Sequence, residues 1–576
     1  MFKKLLYFFV NAVLFALWTK PYYCFKKRSA SIEKVQRSIL LRIVRRNSKT
    51  FFGKRHSFNE INNVDAFRMR IPLFTYDTYS AYVDLIREGK QNVLTREPVL
   101  ALIPSSGSTA PSKYIPFTKG LKQEFLNGIS PWMFDLFVNT RKLMFGSTYW
   151  SITPVGKNNT KNGRLKIGFD EDGEYLGKVE RFFMSKLLSV PKEVSQIKNM
   201  EVFRYITLLF LLKDKNLSYV SVWNPTFLML LLKSTVGWSE LLVSDIRDGA
   251  ITIPVNMDLN LKQTILEKLN RDRKRADELS AVFARWGRRP TVLLEGISLY
   301  EAIWPNLTLI SCWADGNATR DAHELKTFFP NVKVQPKGLL ATEGIVSFPL
   351  VGEDGAIVSI NSHFFEFIEI EKADTAEEPF QQTKLVHQLQ MGKLYSVVIT
   401  TSGGLYRYRL QDIIKVVGFK NECPLIHFVS KENNISDLFG EKLNEYHVSR
   451  VLNEALKNHS LSPSFWMIAP EKGLPDGDYF YTVFLQLSHQ SNRVGNLLKS
   501  LSEQIEEKLQ DNYHYRYCRN LGQLSKLRLF VINSDCNAQE TYLRACQSSG
   551  QRLGAIKIAT LSSKMGWAKT FGGNFV

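Results

Sequence analysis

The sequence has few cysteines, and they lie too far apart to define a metal site or a disulfide framework. No CxxC pair and no Cys/His cluster at zinc spacing occurs, and His323 lacks the second histidine that an HExxH motif needs four residues later. Dispersed cysteines of this kind are typical of reduced, mostly structural residues, so we predict a cytoplasmic protein. The six are Cys24, Cys312, Cys423, Cys518, Cys536 and Cys546.

The chain also lacks internal repeats, low-complexity segments and an uncharged apolar run long enough to span a membrane. The longest candidate, Leu5 to Trp18, has 14 residues, whereas a spanning helix needs about 20. With 576 residues, the chain is too long for one hydrophobic core, and its 44% apolar content is ordinary for a globular protein. We expect two or three domains.

Positive charge is concentrated at one end of the sequence. Residues 1–55 contain 14 Lys or Arg and a single acid, Glu33, so this segment holds +13 of the net charge of +20. A basic end on a nearly neutral body does not indicate a nucleic-acid-binding protein. Three interpretations of residues 1–28 stay open: an amphipathic helix packed on the body, peripheral contact with an anionic membrane, and a signal or anchor.

The spacing of apolar residues predicts an α/β protein. Helical spacing over 29–50 gives way, from residue 290 onward, to short β-rich runs punctuated by glycine. Helices are expected between these runs at 319–328 and 383–390. The predicted organisation is a basic and apolar segment 1–28, a large domain 29–430 with β-sheets flanked by helices, and a smaller, mobile α+β domain 431–576.

Hydroxyl side chains are dense in a loop that follows a predicted short strand. A glycine in the loop lets the backbone approach a ligand, and backbone amides there can form an anion site. The GxxxxGK[ST] pattern of a P-loop is absent, so the residues alone leave a phosphate site and a plain polar turn open. The segment comprises Ser105, Ser106, Gly107, Ser108, Thr109 and, at its end, Lys113.

Two carboxylates stand beside predicted strands. Glu343 follows Thr342 in the run GLLATEG and could bind Mg²⁺, which favours oxygen ligands, although a surface glutamate explains it as well. Asp412 follows an alternating Tyr/Arg segment that ends at Tyr408 and Arg409. Its carboxylate could accept hydrogen bonds from ribose hydroxyls, whereas cross-strand pairing would explain the arginines.

The smaller predicted domain carries one candidate residue and is preceded by a candidate hinge. Lys557 lies among small and apolar residues in LGAIKIATLS, where a lysine is costly unless it meets an anion. An exposed lysine on a C-terminal strand is the alternative. Polar residues around Gly440 suit a hinge. In the larger domain, an aromatic or apolar pocket and ordinary core packing both explain Trp132, Trp150 and Trp223.

The order of these segments resembles the adenylate-forming superfamily of acyl-CoA synthetases, luciferases and adenylation domains. More closely, the chain resembles the Gretchen Hagen 3 family of auxin-responsive acyl-acid-amido synthetases, and in particular its bacterial members. The more specific matching runs are GLYRYRLQDIIKVVGF (Gly404–Phe419) and GEKLNEYHV (Gly440–Val448).

The resemblance implies an ATP-dependent ligase that works in two steps. A carboxylic acid and ATP form an acyl-adenylate and pyrophosphate, and an amine, usually of an amino acid, then displaces AMP to give an amide. The cofactors implied are ATP and Mg²⁺. The partners implied are an acid and an amino acid, with no nucleic acid.

The resemblance also implies roles for individual residues. The loop hydroxyls would hold the β- and γ-phosphates, Asp412 the ribose, and Glu343 the Mg²⁺ near the α-phosphate. Lys557 would stabilise the charge that develops on the α-phosphate and carboxylate oxygens. The nucleotide-binding set implied is Ser105, Ser106, Gly107, Ser108, Thr109, Lys113, Thr342, Tyr408, Arg409 and Asp412.

Some positions depart from the family pattern. Ala110 and Gln411 stand where glycines are usual, and Ile558 follows Lys557 where the family has a Pro-Arg pair, which leaves Lys564 as a rival lysine. Two other functions therefore stay open: an acyl-CoA or acyl-carrier ligase with a thiol as nucleophile, and a catalytically degenerate protein of the same fold that binds a membrane surface.

Overall fold

A computed structural model gives the fold, and helices dominate its first half. The described residues are 2–105, 113–151, 165–167, 177–252, 257–287, 289–370, 383–432, 434–473, 477–487, 494–549, 551 and 556–576. The α-helices among them are α1 Phe2–Arg28, α2 Ile32–Asn47, α3 Phe51–Arg55, α4 Val64–Arg70, α5 Tyr76–Arg87, α6 Lys119–Asn139, α7 Lys178–Ser185, α8 Met200–Lys213, α9 Pro225–Gly237, α10 Ser239–Asp248, α11 Leu259–Leu266, α12 Arg273–Trp286, α13 Leu299–Ile303, α14 Thr319–Phe328, α15 Glu445–Asn458, α16 Val494–Leu509, α17 Tyr513–Asn520, α18 Ala538–Ser548 and α19 Trp567–Thr570.

The strands are short, and most of them follow residue 300. They are β1 Val99–Ser105, β2 Lys113–Thr118, β3 Ser147–Trp150, β4 Lys166–Ile167, β5 Leu217–Ser221, β6 Leu309–Cys312, β7 Lys333–Pro336, β8 Ser347–Pro349, β9 Ala356–Val358, β10 Phe364–Glu369, β11 Lys384–Leu385, β12 Leu394–Thr400, β13 Tyr408–Lys420, β14 Cys423–Lys431, β15 Ile435–Ser436, β16 Leu443–Asn444, β17 Phe465–Lys472, β18 Tyr479–Gln486, β19 Arg528–Ile532 and β20 Gly573–Phe575.

Two sheets of the larger part of the chain differ in strand direction. A seven-stranded antiparallel sheet has the order β11-β10-β12-β13-β14-β9-β8, and a four-stranded parallel sheet has the order β3-β5-β6-β7. The central strands β5 and β6 are fully buried, and helices such as α8 and α9 flank them, which suits a sheet covered on both faces. Carboxyl ends of parallel strands are where open α/β sheets bind ligands.

The C-terminal sheet, β17-β18-β19-β20, has a separate hydrophobic cluster on each face. Helices α15 and α16 pack on one face, and α18 and α19 pack on the other. The predicted boundary between residues 430 and 431 falls at the last residue of β14. The mixture of helices and sheets confirms the predicted α/β class, whereas the division into three segments stays a prediction.

Of the three helical segments predicted above, 29–50 and 319–328 contain helices and 383–390 does not. The spacing of Ile32, Val35, Ile39 and Ile43 predicted α2, and all four side chains are buried. The prediction of a helix at 383–390 is wrong. Strand β11 begins there and a single 3₁₀ turn follows, because Thr383 and the strand pair against β10 instead of continuing a helical ladder.

All six cysteines are free in the structure. Among the described residues, Lys3–Arg28 is the one helix that is long and apolar enough to cross a membrane. The bent pair Pro225–Gly237 and Ser239–Asp248 meets the same criterion if it is counted as one span.

Candidate active site

The hydroxyl loop begins and ends on one β-hairpin. Ser105 at the end of β1 pairs with Lys113 at the start of β2, in an antiparallel register. The predicted phosphate-binding residues Ser106, Gly107, Ser108 and Thr109 lie outside the described residues. The register therefore brings the two ends of the loop together, and Lys113 Nζ lies 5.8 Å from the centroid of the Tyr76 ring.

Asp412 lies in a bulge of β13. Arg409 pairs with Val398 and Ile413 with Ser396, so β13 has two more residues than β12 over this stretch. Gln411 within the bulge has φ of 59°, the left-handed region that favours glycine. The usual glycine at this position thus has a conformational reason, and this chain meets the same geometry with glutamine.

The carboxylate of Asp412 is buried and only partly satisfied. Neither oxygen accepts a well-directed hydrogen bond from a described residue. Its Oδ1 forms an ion pair with Lys431 Nζ at 2.6 Å, because Lys431 is the residue opposite Asp412 in the β13–β14 pair. A buried carboxylate oxygen that accepts no hydrogen bond is unfavourable unless a ligand supplies the missing donor.

Lys431 is a residue of the site that the sequence analysis missed. Its side chain is 51% exposed, whereas that of its partner Asp412 is 2% exposed. Desolvation acts to lower the pKa of Lys431, but the carboxylates of Asp412 and Glu343 outweigh it and raise the pKa above its ordinary value. The pair depends on the register of the β13–β14 hairpin, which the sequence analysis did not assign.

Glu343 lies in a tight turn that closes between Ala341 and Gly344. Its side chain is buried, and burial raises the pKa of its carboxyl. The charges of Lys431 and Lys113 oppose this rise, and that of Asp412 adds to it. Thr342 is half-buried in the same turn.

A buried histidine supports this turn. The N–H of Ile345 donates to His363 Nε2 at 3.0 Å, so the ring proton is on Nδ1, which lies 2.9 Å from Glu124 Oε2. Glu124 also accepts from the backbone and hydroxyl of Ser402. A Cβ on Gly344 would lie 2.5 Å from His363 Nε2, so the close approach requires glycine.

The Tyr/Arg segment before Asp412 has a more structural role than its alternation suggested. Arg407 has φ of 46° and is not extended. Its buried guanidinium donates to Glu366 Oε2 and to two backbone carbonyls of residues 68 and 71. Tyr408 is buried beside Tyr79. Arg409 pairs with Glu432 at 2.7 Å, immediately after β14.

Lys557 reaches from the C-terminal part of the chain to the large part. Its Nζ lies 4.2 Å from the centroid of the Trp313 ring and 5.2 Å from that of Phe428. The Asn224 side-chain amide donates to the Ile556 carbonyl and joins the same two parts. Lys564, the rival lysine, instead lies over Trp567 of its own domain, at 5.6 Å from the ring centroid.

The segment that carries Lys557 is fixed by the GEKLNEYHV run. Glu445 Oε1 accepts the N–H of Thr560 at 2.9 Å, and Ile468 donates to the Thr560 carbonyl. Part of the Lys557 side chain stays accessible to solvent, but its enclosure desolvates the ammonium. Desolvation, together with the charge of Lys431, lowers the pKa of Lys557 to about 8, against the influence of Asp412 and Glu445.

Aromatic rings connect Lys557 to the carboxyl ends of the parallel strands. Trp313 follows β6, and its ring centroid is 5.8 Å from that of Trp223, which lies just beyond β5. Buried Lys337, just beyond β7, donates to Ser221 Oγ at 2.6 Å, and its Nζ lies 5.1 Å from the Trp223 centroid. The sequence analysis did not single out Lys337.

Family models cover most of the chain and follow the order of these structural parts. The GH3 family N-terminal domain matches residues 23–334, the GH3 family central domain matches 356–431, and the GH3 family C-terminal domain matches 446–565. The chain belongs to the GH3 family. The central model ends at Lys431, the last residue of β14, and the C-terminal model includes Lys557.

Curated GH3 relatives match the chain over nearly its full length. Indole-3-acetic acid-amido synthetase GH3.17 of Arabidopsis thaliana is 24% identical, with 92% of this chain and 91% of the relative covered. Probable indole-3-acetic acid-amido synthetase GH3.11 of Oryza sativa is 23% identical, with 85% of each covered. This GH3 chain is a ligase of the adenylate-forming type, an acyl-acid amido synthetase.

Solved GH3 structures share the fold. The GH3.15 acyl acid amido synthetase has a TM-score of 0.76 at 19% identity and covers 94% of this chain and 93% of its own. AtGH3.15 acyl acid amido synthetase in complex with 2,4-DB has a TM-score of 0.80 at 18% identity, over 96% of this chain and 95% of that one.

Proposed function

We propose that this GH3 chain joins an aromatic or apolar carboxylic acid to an amino acid through an acyl-adenylate made from ATP. The observation that carries the proposal is the convergence of Asp412, Glu343 and Lys557 from three segments remote in sequence. Two carboxylates and two lysines, including Lys431, are coupled there by charge. An acyl-adenylate needs both kinds of charge: carboxylates to bind the ribose and a cation, and lysines to neutralise the phosphate.

The nucleotide is assigned to the cleft beside β13. The incompletely satisfied carboxylate of Asp412 offers acceptors for two ribose hydroxyls. Lys557 would stabilise the negative charge that develops on the α-phosphate. Assignment of the other phosphates to the hairpin loop between Ser105 and Lys113 stays a prediction, as do the nucleotide-binding roles of Thr342, Tyr408 and Arg409.

The carboxylate of Glu343 fits Mg²⁺. It is buried, and burial raises its pKa, so a cation would relieve the cost of its charge. Among the described residues there is no group of three or more His, Cys, Asp or Glu at metal-binding distances. An ion held by one carboxylate and substrate phosphates suits Mg²⁺. When bound, it would neutralise charge on the triphosphate.

The acid is assigned to the aromatic wall at the carboxyl ends of β5, β6 and β7. Trp223 and Trp313 offer faces for an aromatic or apolar acid, and Lys557 above Trp313 would meet its carboxylate. GH3.17 and GH3.11 are named for indole-3-acetic acid, and a solved GH3.15 holds 2,4-DB.

The residues of this chain need only bind and orient the substrates and neutralise their charge. The acid and ATP would react directly with each other, so no covalent bond to the enzyme is required. Closure of the domains over the cleft would exclude water, which would otherwise hydrolyse the adenylate. The incoming amine would then attack the acyl carbon, and AMP would leave. A cytoplasmic location also stays a prediction.

ATP–pyrophosphate exchange tests adenylation directly. We would measure it over aromatic and fatty acids with the wild-type chain, Glu343→Ala, Lys557→Ala and Lys564→Ala as a matched control. Acid-dependent exchange that is lost in the first two variants and kept in the third supports the proposal. A folded chain that binds no Mg-ATP and shows no exchange would contradict it.

Amine-dependent release of AMP distinguishes the amide ligase from a thiol ligase. With the accepted acid and no coenzyme A, a panel of amino acids should accelerate AMP release and yield an amide visible by mass spectrometry. Acceleration by coenzyme A alone, with a thioester as product, would instead establish the acyl-CoA ligase.

A further inference from the structure

Helix α1 packs on the protein through one face only. Val10, Leu14, Trp18 and Phe25 are buried on this face. Aromatic contacts with α6 accompany them: the ring centroids of Phe15 and Phe134 are 4.6 Å apart, and Trp18 meets Phe137 edge-on at 5.5 Å.

A buried asparagine holds α1 in place. The Asn11 Nδ2 donates to the carbonyls of Leu143, Met144 and Gly146, at 3.1 to 3.4 Å. A helix fixed to the body by a polar side chain on its packed face would lose these bonds if it entered a bilayer. We therefore expect α1 to stay packed along the protein and not to insert across a bilayer.

The opposite face of α1 is apolar and open to solvent. Leu5 and Phe9 are each 64% exposed, and Leu6 and Leu17 are also exposed. At 100° per residue these side chains share one side of the helix, together with the half-buried Val13. Only 28% of the apolar 18-residue stretch of this helix is buried in the protein.

Two further segments extend this apolar surface. The rings of Phe8 and Phe145 are stacked, with their centroids 5.2 Å apart. The 3₁₀ turn Arg141–Phe145 therefore continues the apolar surface of α1. Helix α7 packs against α1 and exposes Val179 and Phe182. We name the eight exposed side chains the apolar face: Leu5, Leu6, Phe8, Phe9, Leu17, Phe145, Val179 and Phe182.

Basic residues surround the apolar face. Within the three segments that form it the sequence has one acid, Glu180, which is half-buried. The exposed bases are supplied by all three segments, and the Lys186 Nζ lies 5.5 Å from the centroid of the Phe182 ring. They are Lys3, Lys4, Lys20, Lys26, Lys27, Arg28, Arg141, Lys142, Arg181 and Lys186.

We propose that the apolar face and its basic rim dock this enzyme on an anionic lipid membrane. Aliphatic and aromatic side chains flanked by lysine are typical of helices that lie in the membrane interface. A nucleic acid would satisfy the bases and leave the apolar centre unused. A second copy would oppose one basic rim to another. An anionic bilayer satisfies both parts of the surface at once.

The test is co-sedimentation of the full-length chain with vesicles. We expect the chain to sediment with vesicles of phosphatidylcholine and phosphatidylserine, to bind pure phosphatidylcholine much more weakly, and to be released as salt rises. The double variant Lys20→Ala/Lys27→Ala removes two exposed bases that share the helix side of Phe9 at 100° per residue. It should bind about 25-fold more weakly, because each lysine near an anionic surface contributes about fivefold. Phe9→Ser and Phe182→Ser should each lower binding in vesicles of constant charge.

Matched controls lie on exposed sites of helices that do not form the apolar face. Leu259→Ser on α11 replaces an exposed apolar residue, and Lys457→Ala on α15 removes an exposed base. Neither should change binding, and circular dichroism should show all variants folded. No binding to anionic vesicles, or binding that Phe9→Ser and the lysine pair leave unchanged, overturns the proposal. So does a stable dimer in sedimentation equilibrium that Phe9→Ser dissociates.

Discussion

The Oδ1 atom of Asp412 lies 2.6 Å from the Nζ atom of Lys431, across the β13–β14 pair. The pair combines a buried acid with a half-exposed base, so the base can move to a ligand while the acid stays fixed in the strand. A lysine with two neighbouring carboxylates retains its charge, and its raised pKa reflects this.

Asp412→Asn should weaken Mg-ATP binding by roughly 10- to 100-fold, because a charge-assisted hydrogen bond to ribose becomes a neutral one. Isothermal titration calorimetry measures this in the absence of the acid. Asp354→Asn is the control, since Asp354 is 90% exposed and pairs with His427 instead of Lys431. Equal affinity in wild type and Asp412→Asn would contradict the ribose assignment.

The rate of adenylation should depend on the protonation of Lys557. The pKa of this ammonium is lowered to about 8, so the charge is present below that pH and is lost as pH rises through it. The kcat/KM for pyrophosphate exchange should therefore decline above about pH 8, since this ratio reports the free enzyme. Lys557→Arg should remove this decline, and Lys557→Ala should lower the rate on the order of 10²–10³-fold. An unchanged profile in Lys557→Arg would assign the titration to another group.

Glu343→Gln should stabilise the fold while it impairs the reaction. Burial raises the pKa of Glu343 above its ordinary value of 4.5, so the folded state holds this proton more tightly than the unfolded chain. Stability from this group is present below the unfolded pKa and is lost as pH rises through the folded pKa. At neutral pH the neutral variant should therefore melt higher, with the difference vanishing below about pH 4. Exchange should fall at least about 100-fold. A lower melting temperature at neutral pH would show that Lys431 and Lys113 already compensate the charge.

Gln411→Gly should leave adenylation intact and should not destabilise the fold, because φ of 59° suits glycine. Gln411→Val should lower the free energy of unfolding by about 1–2 kcal/mol, since a β-branched residue is strained in the left-handed region. Chemical denaturation of the three chains gives the comparison. Equal losses in the glycine and valine variants would mean that the glutamine side chain matters and the backbone does not.

Sequence alone determined the class of fold, the family and most of the candidate residues. Helical spacing located α2 and α14, and the run GLYRYRLQD located Asp412, because periodicity and motifs are local properties of the chain. The same runs could not show that Arg407 is buried against Glu366 as a structural anchor, since Glu366 is 41 residues away.

Tertiary structure decided what lies beside each residue. The antiparallel pairing of β13 with β14 places Asp412 opposite Lys431. The contact of the C-terminal segment with Trp313 separates Lys557 from Lys564. Packing of α1 on α6 decided which side of that helix stays open. The domain contact and the orientation of α1 each join residues more than a hundred positions apart in the sequence, and the register of a strand depends on its partner strand, so no local pattern encodes them.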